Sequence, residues 1–373
     1  MRILIAGDFC PQASVAALFE ERRFADVLSE IKTVTDSCDY SIANFECAIA
    51  DNNTEPSTKY GPLRSCSEAG VYALKWAGFD GVTLANNHFY DYGEAAVERA
   101  LQCFRECGVD YVGGGRNITE ASTILYKTIK GIRVAFINCC EHEFSIATES
   151  TGGCNPLNPI QQYYAIQEAK KRADVVLIIV HGGHEHFQLP SPRMQETYRF
   201  FVDAGADLVI NHHQHCFSGY EIYNGHPIVY GLGNFCFDKE KIMRPTWYEG
   251  LLCVIEIGNK INIEILPIEQ CKGEPRVKLL KCGRINETVN SLSTIIANRD
   301  LLEQSYNDFL MANDKVYLEA MEPYPPLLMR LYRRGIIRSG LTKTRLLKIF
   351  DLINCESHLD RMRAAVLRRA LEL

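Results

Sequence analysis

Six short apolar runs, each ending in a polar or glycine-containing cluster, constrain most strongly what this chain can fold into. Runs this short are typical of buried strands rather than helices. They lie at 2–6, 40–43, 81–84, 134–137, 175–180 and 208–210. Helical periodicity separates them, as where Val97, Leu101 and Phe104 share one face of a stretch that Gly108 ends. The alternation predicts an α/β fold of largely parallel or mixed strands.

The pattern changes after Asn211. Apolar strands separated by turns such as Asn224-Gly225 and Gly258-Asn259 favour hairpins and a second sheet with antiparallel character. These strands are predicted at 218–223, 227–230, 250–257 and 260–267. Helices are predicted at 292–320, 327–337, 341–353 and 357–371. We therefore expect a catalytic-type domain over 1–285 and a helical C-terminal region over 286–373.

Charge and cysteine usage narrow the class of protein. The net charge of −6 argues against a nucleic-acid partner for the chain as a whole. The first residues run into a polar turn too early for a signal peptide, and no window is apolar enough for a membrane span. The 15 cysteines include no CxxC pair. We therefore expect reduced thiols and a cytoplasmic location, with membrane association as a second interpretation.

The polar clusters that follow the predicted strands carry the chemistry. Loops at the carboxyl ends of strands in an open α/β sheet converge on one crevice, so distant clusters are expected to meet. Histidines and carboxylates together are the ligands of Zn, Mn or Fe sites, and seven of the ten histidines lie between His181 and His226. The clusters are Gly7-Asp8, Asn44-Phe45-Glu46, Asn86-Asn87-His88, His181-Gly182-Gly183-His184-Glu185-His186 and Asn211-His212-His213-Gln214-His215.

Each cluster also has a structural interpretation. Asp8 could cap the next helix, and Glu46 could be a solvated loop residue. Asp91 and Glu94 have the spacing of a capping box. The pair His213 and His215 is more specific, since alternate residues of an extended segment point the same way. No cluster is decisive alone, but five in this order favour a metal centre.

The same clusters resemble the signatures of the capsule-synthesis CapA family, within the calcineurin-like metallophosphoesterases, over roughly residues 1–270. The resemblance implies a four-layer α-β-β-α sandwich of two mixed sheets with a C-terminal helical appendage. The matching segments are Gly7-Asp8, Asn44-Phe45-Glu46, Ala85-Asn86-Asn87-His88-Phe89-Tyr90-Asp91-Tyr92-Gly93, His181-Gly182-Gly183-His184-Glu185, Asn211-His212-His213-Gln214-His215 and Tyr230-Gly231-Leu232-Gly233-Asn234-Phe235.

The resemblance also implies a ligand set and a mechanism. Glu46 would bridge two divalent ions (Mn, Zn or Fe), and the activated hydroxide between them would attack an anionic substrate. Asp8 and His215 would complete one site. Asn87, His181 and His213 would complete the other. His88 would assist the leaving group, while Asp91 and Glu185 would orient ligand imidazoles.

Departures from the family pattern leave alternatives open. Cys10 stands where the superfamily has a histidine; it is either a thiolate ligand or a small buried residue. Gln214, in place of a proline, is expected to loosen the turn that carries the histidines. Lys59 and Arg64 flank a loop that either grips an anionic substrate or is simply solvated.

The helical region from Tyr324 onward carries 11 Lys and Arg against 4 Asp and Glu. It either contacts an anionic membrane or a capsule synthase, or packs on the first domain. With the strand-end clusters, the family resemblance implies a metal-dependent hydrolase, most simply a phosphoesterase, in capsule, polyglutamate or envelope polymer metabolism. A non-catalytic assembly or export factor with the same fold is the alternative.

Overall fold

The computed structural model describes residues 1–51, 53–239, 243–281 and 283–371. Its helices are α1 (Ala13–Glu20), α2 (Phe24–Thr35), α3 (Ala69–Trp76), α4 (Gly93–Cys107), α5 (Ile118–Ala121), α6 (Pro159–Arg172), α7 (Pro192–Asp203), α8 (Arg284–Ala297), α9 (Arg299–Met321), α10 (Pro326–Arg333), α11 (Lys343–Asn354) and α12 (Glu356–Leu371), with a short 3-10 turn at Pro245–Trp247.

The strands are β1 (Arg2–Phe9), β2 (Tyr40–Phe45), β3 (Ala48–Ile49), β4 (Ser65–Cys66), β5 (Gly81–Thr83), β6 (Asp110–Val112), β7 (Gly114–Gly115), β8 (Leu125–Ile129), β9 (Ile132–Cys140), β10 (Gly153–Cys154), β11 (Val175–His181), β12 (Leu208–His212), β13 (Tyr220–Tyr223), β14 (His226–Val229), β15 (Asn234–Cys236), β16 (Glu249–Ile257), β17 (Ile261–Gln270) and β18 (Val277–Leu279).

Two mixed sheets form the centre of the first part of the chain. The first sheet has the order β18-β17-β16-β1-β2-β5-β6, with β15 also paired to β1. The second has the order β13-β14-β12-β11-β9-β8. The central strands β1, β2 and β5 run parallel in the first sheet, as do β9, β11 and β12 in the second. Their carboxyl ends therefore present loops on one side of each sheet.

Side-chain alternation along these strands produces three apolar layers. In β1, Ile3 and Ile5 face a core between the sheets, whereas Leu4 and Ala6 face a core covered by α1 to α4. The strand β11 does the same, with Ile179 between the sheets and Ile178 under α6 and α7. Both strands are buried on both faces, which explains their near-continuous apolar sequence. The order helix, sheet, sheet, helix confirms the predicted four-layer α/β fold.

All six strands predicted before Asn211 are present. The late strands, however, do not form a sheet of their own. The β13–β14 hairpin extends the second sheet, whereas β16, β17 and β18 extend the first in antiparallel fashion. The period-2 pattern predicts a strand and its hairpin partner but carries no information on which sheet edge the hairpin joins.

The chain divides into two compact units, Met1–Tyr306 and Asn307–Leu373. The predicted domain boundary between residues 285 and 286 is a statement about which parts fold independently, and it stays a prediction. Within the first unit, α8 packs against β13, and its Ile285 and Val289 belong to the core between the sheets. In the second unit, α10 and α11 bury none of their side chains. Among the described residues, no helix is both long and apolar enough to span a membrane.

Candidate metal centre

The carboxyl ends of five parallel strands bring the predicted ligands together. Asp8 lies near the end of β1, and Glu46 directly follows β2. Asn87 lies in the loop after β5. His181 is the last residue of β11, and the turn after β12 carries His213 and His215, so both sheets contribute.

Asp8, Glu46 and His215 form one group whose candidate donor atoms lie within 4.8 Å of one another. His215 Nδ1 is 3.4 Å from Asp8 Oδ2, and its Nε2 is 3.6 Å from Glu46 Oε1. Asn234 fixes the ring, because its Oδ1 lies 3.0 Å from His215 Nδ1. With Nδ1–H donated to Asn234, the lone pair of Nε2 points toward Glu46, which suits a cation ligand.

Glu46, His181 and His213 form a second group with the same spacing limit. His181 Nε2 lies 3.8 Å from Glu46 Oε1, 3.1 Å from Asn87 Oδ1 and 3.0 Å from His213 Nδ1. The amide of Asn87 is oriented by Glu143, whose Oε2 accepts from Asn87 Nδ2 at 3.1 Å. Glu46 is common to both groups, as the resemblance implied for a bridging carboxylate.

The turn that carries His213 and His215 is not the extended segment that the sequence pattern suggested. Both residues have positive φ angles, 93° and 54°, in the left-handed region that non-glycine residues seldom adopt. Gln214 does not loosen this turn. Its amide donates to the carbonyls of Phe187 and Leu189, at 3.0 and 3.2 Å, and so anchors it. Such strain persists where the surroundings fix the backbone.

The electrostatics of this cluster suit a bound cation. Burial raises the pKa of Glu46 well above its usual range, and the charge of Asp8 adds to the effect. Burial also raises the pKa of Asp8, but the nearby histidines, His215 foremost, outweigh it, and the net change is downward. Burial, with the charge of His213, lowers the pKa of His181 well below its usual value. A neutral His181 imidazole beside the carboxylates presents a lone pair and negative charge to one point.

Buried carboxylate oxygens without a hydrogen-bond partner indicate whether these residues suit a metal ion. Among the described residues, Asp8 Oδ2 and both carboxylate oxygens of Glu46 have no hydrogen-bond partner, although both side chains are fully buried. Leaving buried carboxylate oxygens without a partner is costly. The donor set of carboxylates and imidazoles is the one that Zn, Mn or Fe prefers. These residues therefore fit divalent ions.

His88 belongs to a buried network beside the centre. Its Nδ1 lies 2.6 Å from Asp91 Oδ2, and the same carboxylate pairs with Lys59, whose side chain is only 3% exposed. Burial lowers the pKa of His88, an effect that Asp91 opposes. Asp91 also accepts from the backbone N–H of Arg64 at 2.6 Å. This network joins the loop before β4 to the histidine.

Two interpretations of this region are corrected. Asp91 does not cap α4: the N-cap is Tyr92, no side chain caps that end, and Glu94 accepts from Gly152 instead. Lys59 is not a solvated loop residue, because its ammonium group reaches the buried Asp91. The spacing of a capping box is present, but the Asp91 carboxylate contacts His88 and Lys59 instead of the helix terminus.

The remaining candidates lie around the centre. The carboxylate of Glu185 lies 4.0 Å from His186, and the Glu185 side chain is 52% exposed. Burial raises the pKa of Glu185, but the charges of the nearby His215 and His213 outweigh this effect and lower it. Cys10 is buried and belongs to neither ligand group among the described residues. His212 lies 3.7 Å from Asp8 Oδ1, and burial lowers its pKa to about 4.

Sequence reasoning missed three residues that orient ligands. Asn44 donates to Asp8 Oδ1 at 2.8 Å and lies 3.2 Å from His181 Nδ1. Glu143 orients Asn87, and Asn234 orients His215. Asn44 and Asn234 both lie in segments that match the family, so the motifs could have indicated them. Glu143 stands in an unremarkable polar loop, and no signal in the sequence marks it.

The four-layer fold and the strand-end cluster define a two-sheet α/β protein with a candidate metal centre. A family model described as "Bacterial capsule synthesis protein PGA_cap" matches residues 2–239. The chain therefore belongs to this capsule synthesis family, which confirms the CapA resemblance.

Curated relatives agree. The chain is 34% identical over 221 residues to the capsule biosynthesis protein CapA of Bacillus anthracis, a match that covers 57% of this chain and 54% of that protein. It is 32% identical over 238 residues to the PGA biosynthesis protein CapA of Bacillus subtilis (strain 168), covering 62% of each. A "Probable polyglutamine synthesis accessory protein" of Mycobacterium tuberculosis (strain CDC 1551 / Oshkosh) is 25% identical over 225 residues, covering 55% of this chain and 57% of that protein. The match thus spans less than two thirds of each relative.

Two solved structures are similar at lower levels. A hypothetical protein from Thermus thermophilus aligns with a TM-score of 0.46 and 15% identity, over 72% of this chain and 99% of that one. The 5'-nucleotidase from Candida albicans SC5314 aligns with a TM-score of 0.42 and 11% identity, over 83% of this chain and 57% of that one.

Proposed function

We propose that this protein is a metal-dependent hydrolase that acts in capsule or poly-γ-glutamate metabolism, most simply on a phosphoester. The observation that carries the proposal is the buried Glu46 carboxylate, shared by two groups of donors and without a hydrogen-bond partner among the described residues. The family supplies the biological setting. Hydrolysis is inferred from the site.

Asp8 and His215 would hold one divalent ion with Glu46, while Asn87, His181 and His213 would hold the second. Ions bound there would supply Lewis-acid polarisation of the scissile group and acidify a water molecule. Asn234, Asn44 and Glu143 keep the donor atoms directed at the centre. Burial excludes bulk water, which strengthens each electrostatic contact.

His88 is the proposed proton-transfer group. Its Nδ1 is committed to Asp91, so Nε2 is the nitrogen left to carry a proton between the attacking water and the leaving-group oxygen. Asp91 fixes the ring and stabilises its protonated form, as a carboxylate does toward a catalytic imidazole. Glu185, at the exposed edge of the centre, is proposed to assist in orienting the nearby imidazoles.

Metal content per chain, combined with turnover of an aryl phosphate ester, tests this proposal. Wild-type protein purified without chelator and loaded with Mn or Zn is expected to hold about two ions, one for each donor group. Glu46→Gln keeps the side-chain volume but removes the shared charge, so it should lose both ions. His213→Ala should lose only the ion of its own group, and turnover should fall by at least about a hundredfold in both variants.

His226→Gln is the matched control, because His226 begins β14, which runs parallel to β12, and so lies at the opposite end of the sheet. It should keep metal and activity. Wild-type protein that binds no metal after loading would contradict the proposal. Two bound ions without turnover on any ester would instead favour an accessory role in polymer synthesis, in keeping with the name of the mycobacterial relative.

We also propose that the unit at 307–373 associates with the synthesis machinery at an anionic membrane surface. Leu327, Ile336 and Leu347 are 59–69% exposed there, among arginines and lysines that give the region its positive charge. Exposed apolar side chains between basic ones are typical of helices that lie on anionic surfaces.

A further inference from the structure

Two cations lie over aromatic rings at one side of the metal centre. Lys239 Nζ is 3.8 Å from the ring centroid of Trp247 and 5.1 Å from that of Phe237. The guanidinium carbon of Arg64 is 5.7 Å from the Phe237 centroid. These distances are within the range of cation–π attraction, so both side chains are held with their charges at the ring faces. We call Arg64, Phe237, Lys239 and Trp247 the basic–aromatic pocket.

The aromatic rings of the pocket contact His215, a proposed metal ligand. The imidazole of His215 lies 4.9 Å from the Trp247 ring and 5.3 Å from the Phe237 ring. Trp247 is 1% exposed, and its indole N–H donates to the carbonyl oxygen of Phe237 at 3.0 Å. Its own carbonyl accepts from Asn234, the residue that orients His215. The two rings therefore contact both His215 and the cations, and they fix the cations beside the metal centre.

Neither cation of the pocket forms an ion pair within the part of the chain that the structure describes. Arg64 and Lys239 have no carboxylate there within salt-bridge distance, in contrast to Lys59, which pairs with Asp91. Burial and the charge of Arg64 together lower the pKa of Lys239 to about 8, against the opposing effect of Glu185. Two neighbouring positive charges in a half-buried place are stabilised most directly by an anion.

The pocket is also coupled to the proton-transfer network. The backbone N–H of Arg64 donates to Asp91, which holds His88. A group bound by the Arg64 side chain would therefore sit at a defined position relative to both the metal centre and His88. The planar guanidinium offers paired donors to a carboxylate or phosphate, and the ammonium adds a point charge.

We propose that Arg64 and Lys239 form an anion subsite that binds a second negatively charged group of the substrate, a carboxylate or a phosphate, beside the scissile bond. The substrate class is then a polyanion rather than a simple monoester. This inference rests on the proposed hydrolase function for its meaning in catalysis, but the binding itself does not require turnover.

Trp247 provides a direct readout. The chain has two tryptophans, so in the Trp76→Phe variant all tryptophan fluorescence comes from Trp247. The ammonium group of Lys239 lies at the face of that ring, so its fluorescence should respond to an anion bound there. The full-length Trp76→Phe protein is stripped of metal with chelator, because bound ions would themselves attract the probe. Glutarate, inorganic phosphate and a neutral diol are then titrated at constant ionic strength. Saturable changes in emission are expected with the two anions and none with the diol, and their relative affinities distinguish carboxylate from phosphate.

Lys239→Met and Arg64→Met keep much of the side-chain volume and remove the charge. Each is expected to weaken anion binding by about tenfold or more, the usual loss for one charge-assisted hydrogen bond. Lys75→Met, at an exposed lysine on α3, is the control and should bind as the parent does. An absent response to both anions, or an unchanged one in the two pocket variants, would overturn the subsite.

Turnover separates this inference from the proposed function. With metal restored, kcat/KM is compared for two aryl phosphates that differ by one carboxylate on the leaving group. The pocket variants should lower kcat/KM for the carboxylated ester by about tenfold more than they lower kcat/KM for the plain ester. Equal effects on both esters would refute the subsite while the hydrolase stands. Anion binding at Trp247 without turnover would retain the subsite while the hydrolase fails.

Discussion

At the scale of single residues, the ion pair between Lys59 and Asp91 links a surface loop to the interior. Both side chains are almost completely buried, and the same carboxylate holds His88. A buried charge that loses its partner is strongly destabilising, whereas exposed pairs contribute little. The pair therefore matters for stability as well as for the position of His88.

Lys59→Ala is expected to lower the free energy of unfolding by about 3 kcal/mol, because the Asp91 charge would remain buried with fewer partners. Chemical denaturation measured by circular dichroism checks the value. The exposed Lys75, which only reaches a backbone carbonyl, provides the comparison through Lys75→Ala, for which a change below about 0.5 kcal/mol is expected. Similar losses in the two variants would mean that the pair is open in solution.

The residues that could be predicted from sequence are those whose type is informative without a partner. Histidines and carboxylates recur at the ends of several buried strands, and this recurrence, rather than any one of them, made Asp8, Glu46 and His181 candidate ligands. Lys59 and Glu143 are ordinary polar residues in loops, and only their contacts give them a role. For Asp91 the resemblance implies an orienting role, whereas its local spacing suggests a helix cap.

At the scale of elements, the end of β1 packs closely against β15 and the residues just before it. Gly7 precedes Asp8, and a side chain on it would overlap the carbonyl oxygen of Gly233. That carbonyl accepts from the Asp8 N–H at 3.1 Å, and β1 pairs with β15 at Asp8 and Asn234. The absence of a side chain at position 7 thus sets the distance between Asp8 and the residue that orients His215.

Gly7→Ala is expected to separate β1 from β15, to reduce metal content by at least half and to lower the free energy of unfolding by about 1–3 kcal/mol. Metal analysis and thermal melting measure the two effects. Gly258→Ala is the matched control, since nothing lies near that position and its φ angle is not left-handed. Retention of full metal content in Gly7→Ala would show that the backbone can adjust without moving Asp8.

Strands were predictable at this scale because burial on both faces leaves a run of apolar residues. Which sheet the late hairpins join was not, since β13–β14 and β16–β17 have the same local pattern and differ only in distant partners. The left-handed turn at His213 and His215 was equally hidden, because its anchor, Gln214, reaches carbonyls more than 20 residues away in sequence.

At the scale of the whole molecule, the cores assign α8 and the start of α9 to the first unit. Ile285, Val289, Ile296 and Leu302 are buried with the second sheet or between the sheets. A chain cut at the predicted boundary, residue 285, would lack Val289, Ile296 and Leu302 and would expose the apolar surface that they cover.

A chain ending at Tyr306 is expected to remain monodisperse and to keep its metal, whereas one ending at residue 285 should aggregate or melt at a lower temperature. Size-exclusion chromatography and thermal melting compare them.

Full-length protein should sediment with vesicles that contain anionic lipid but not with neutral ones, and the chain ending at Tyr306 should sediment with neither. Equal stability of the two shortened chains would support the boundary at 285, and sedimentation of the chain ending at Tyr306 would exclude the helical unit as the membrane contact.

The division of donors between the two sheets has a consequence for biosynthesis. Asp8, Glu46 and Asn87 leave the ribosome early and offer only oxygen atoms, while the imidazoles of His181, His213 and His215 follow much later. Domains generally fold as units during synthesis. In the proposed centre, a nascent chain could not hold an ion tightly until His215 has been synthesised and the second sheet has packed against the first. The metal available at the end of synthesis would therefore decide which ion the finished protein carries.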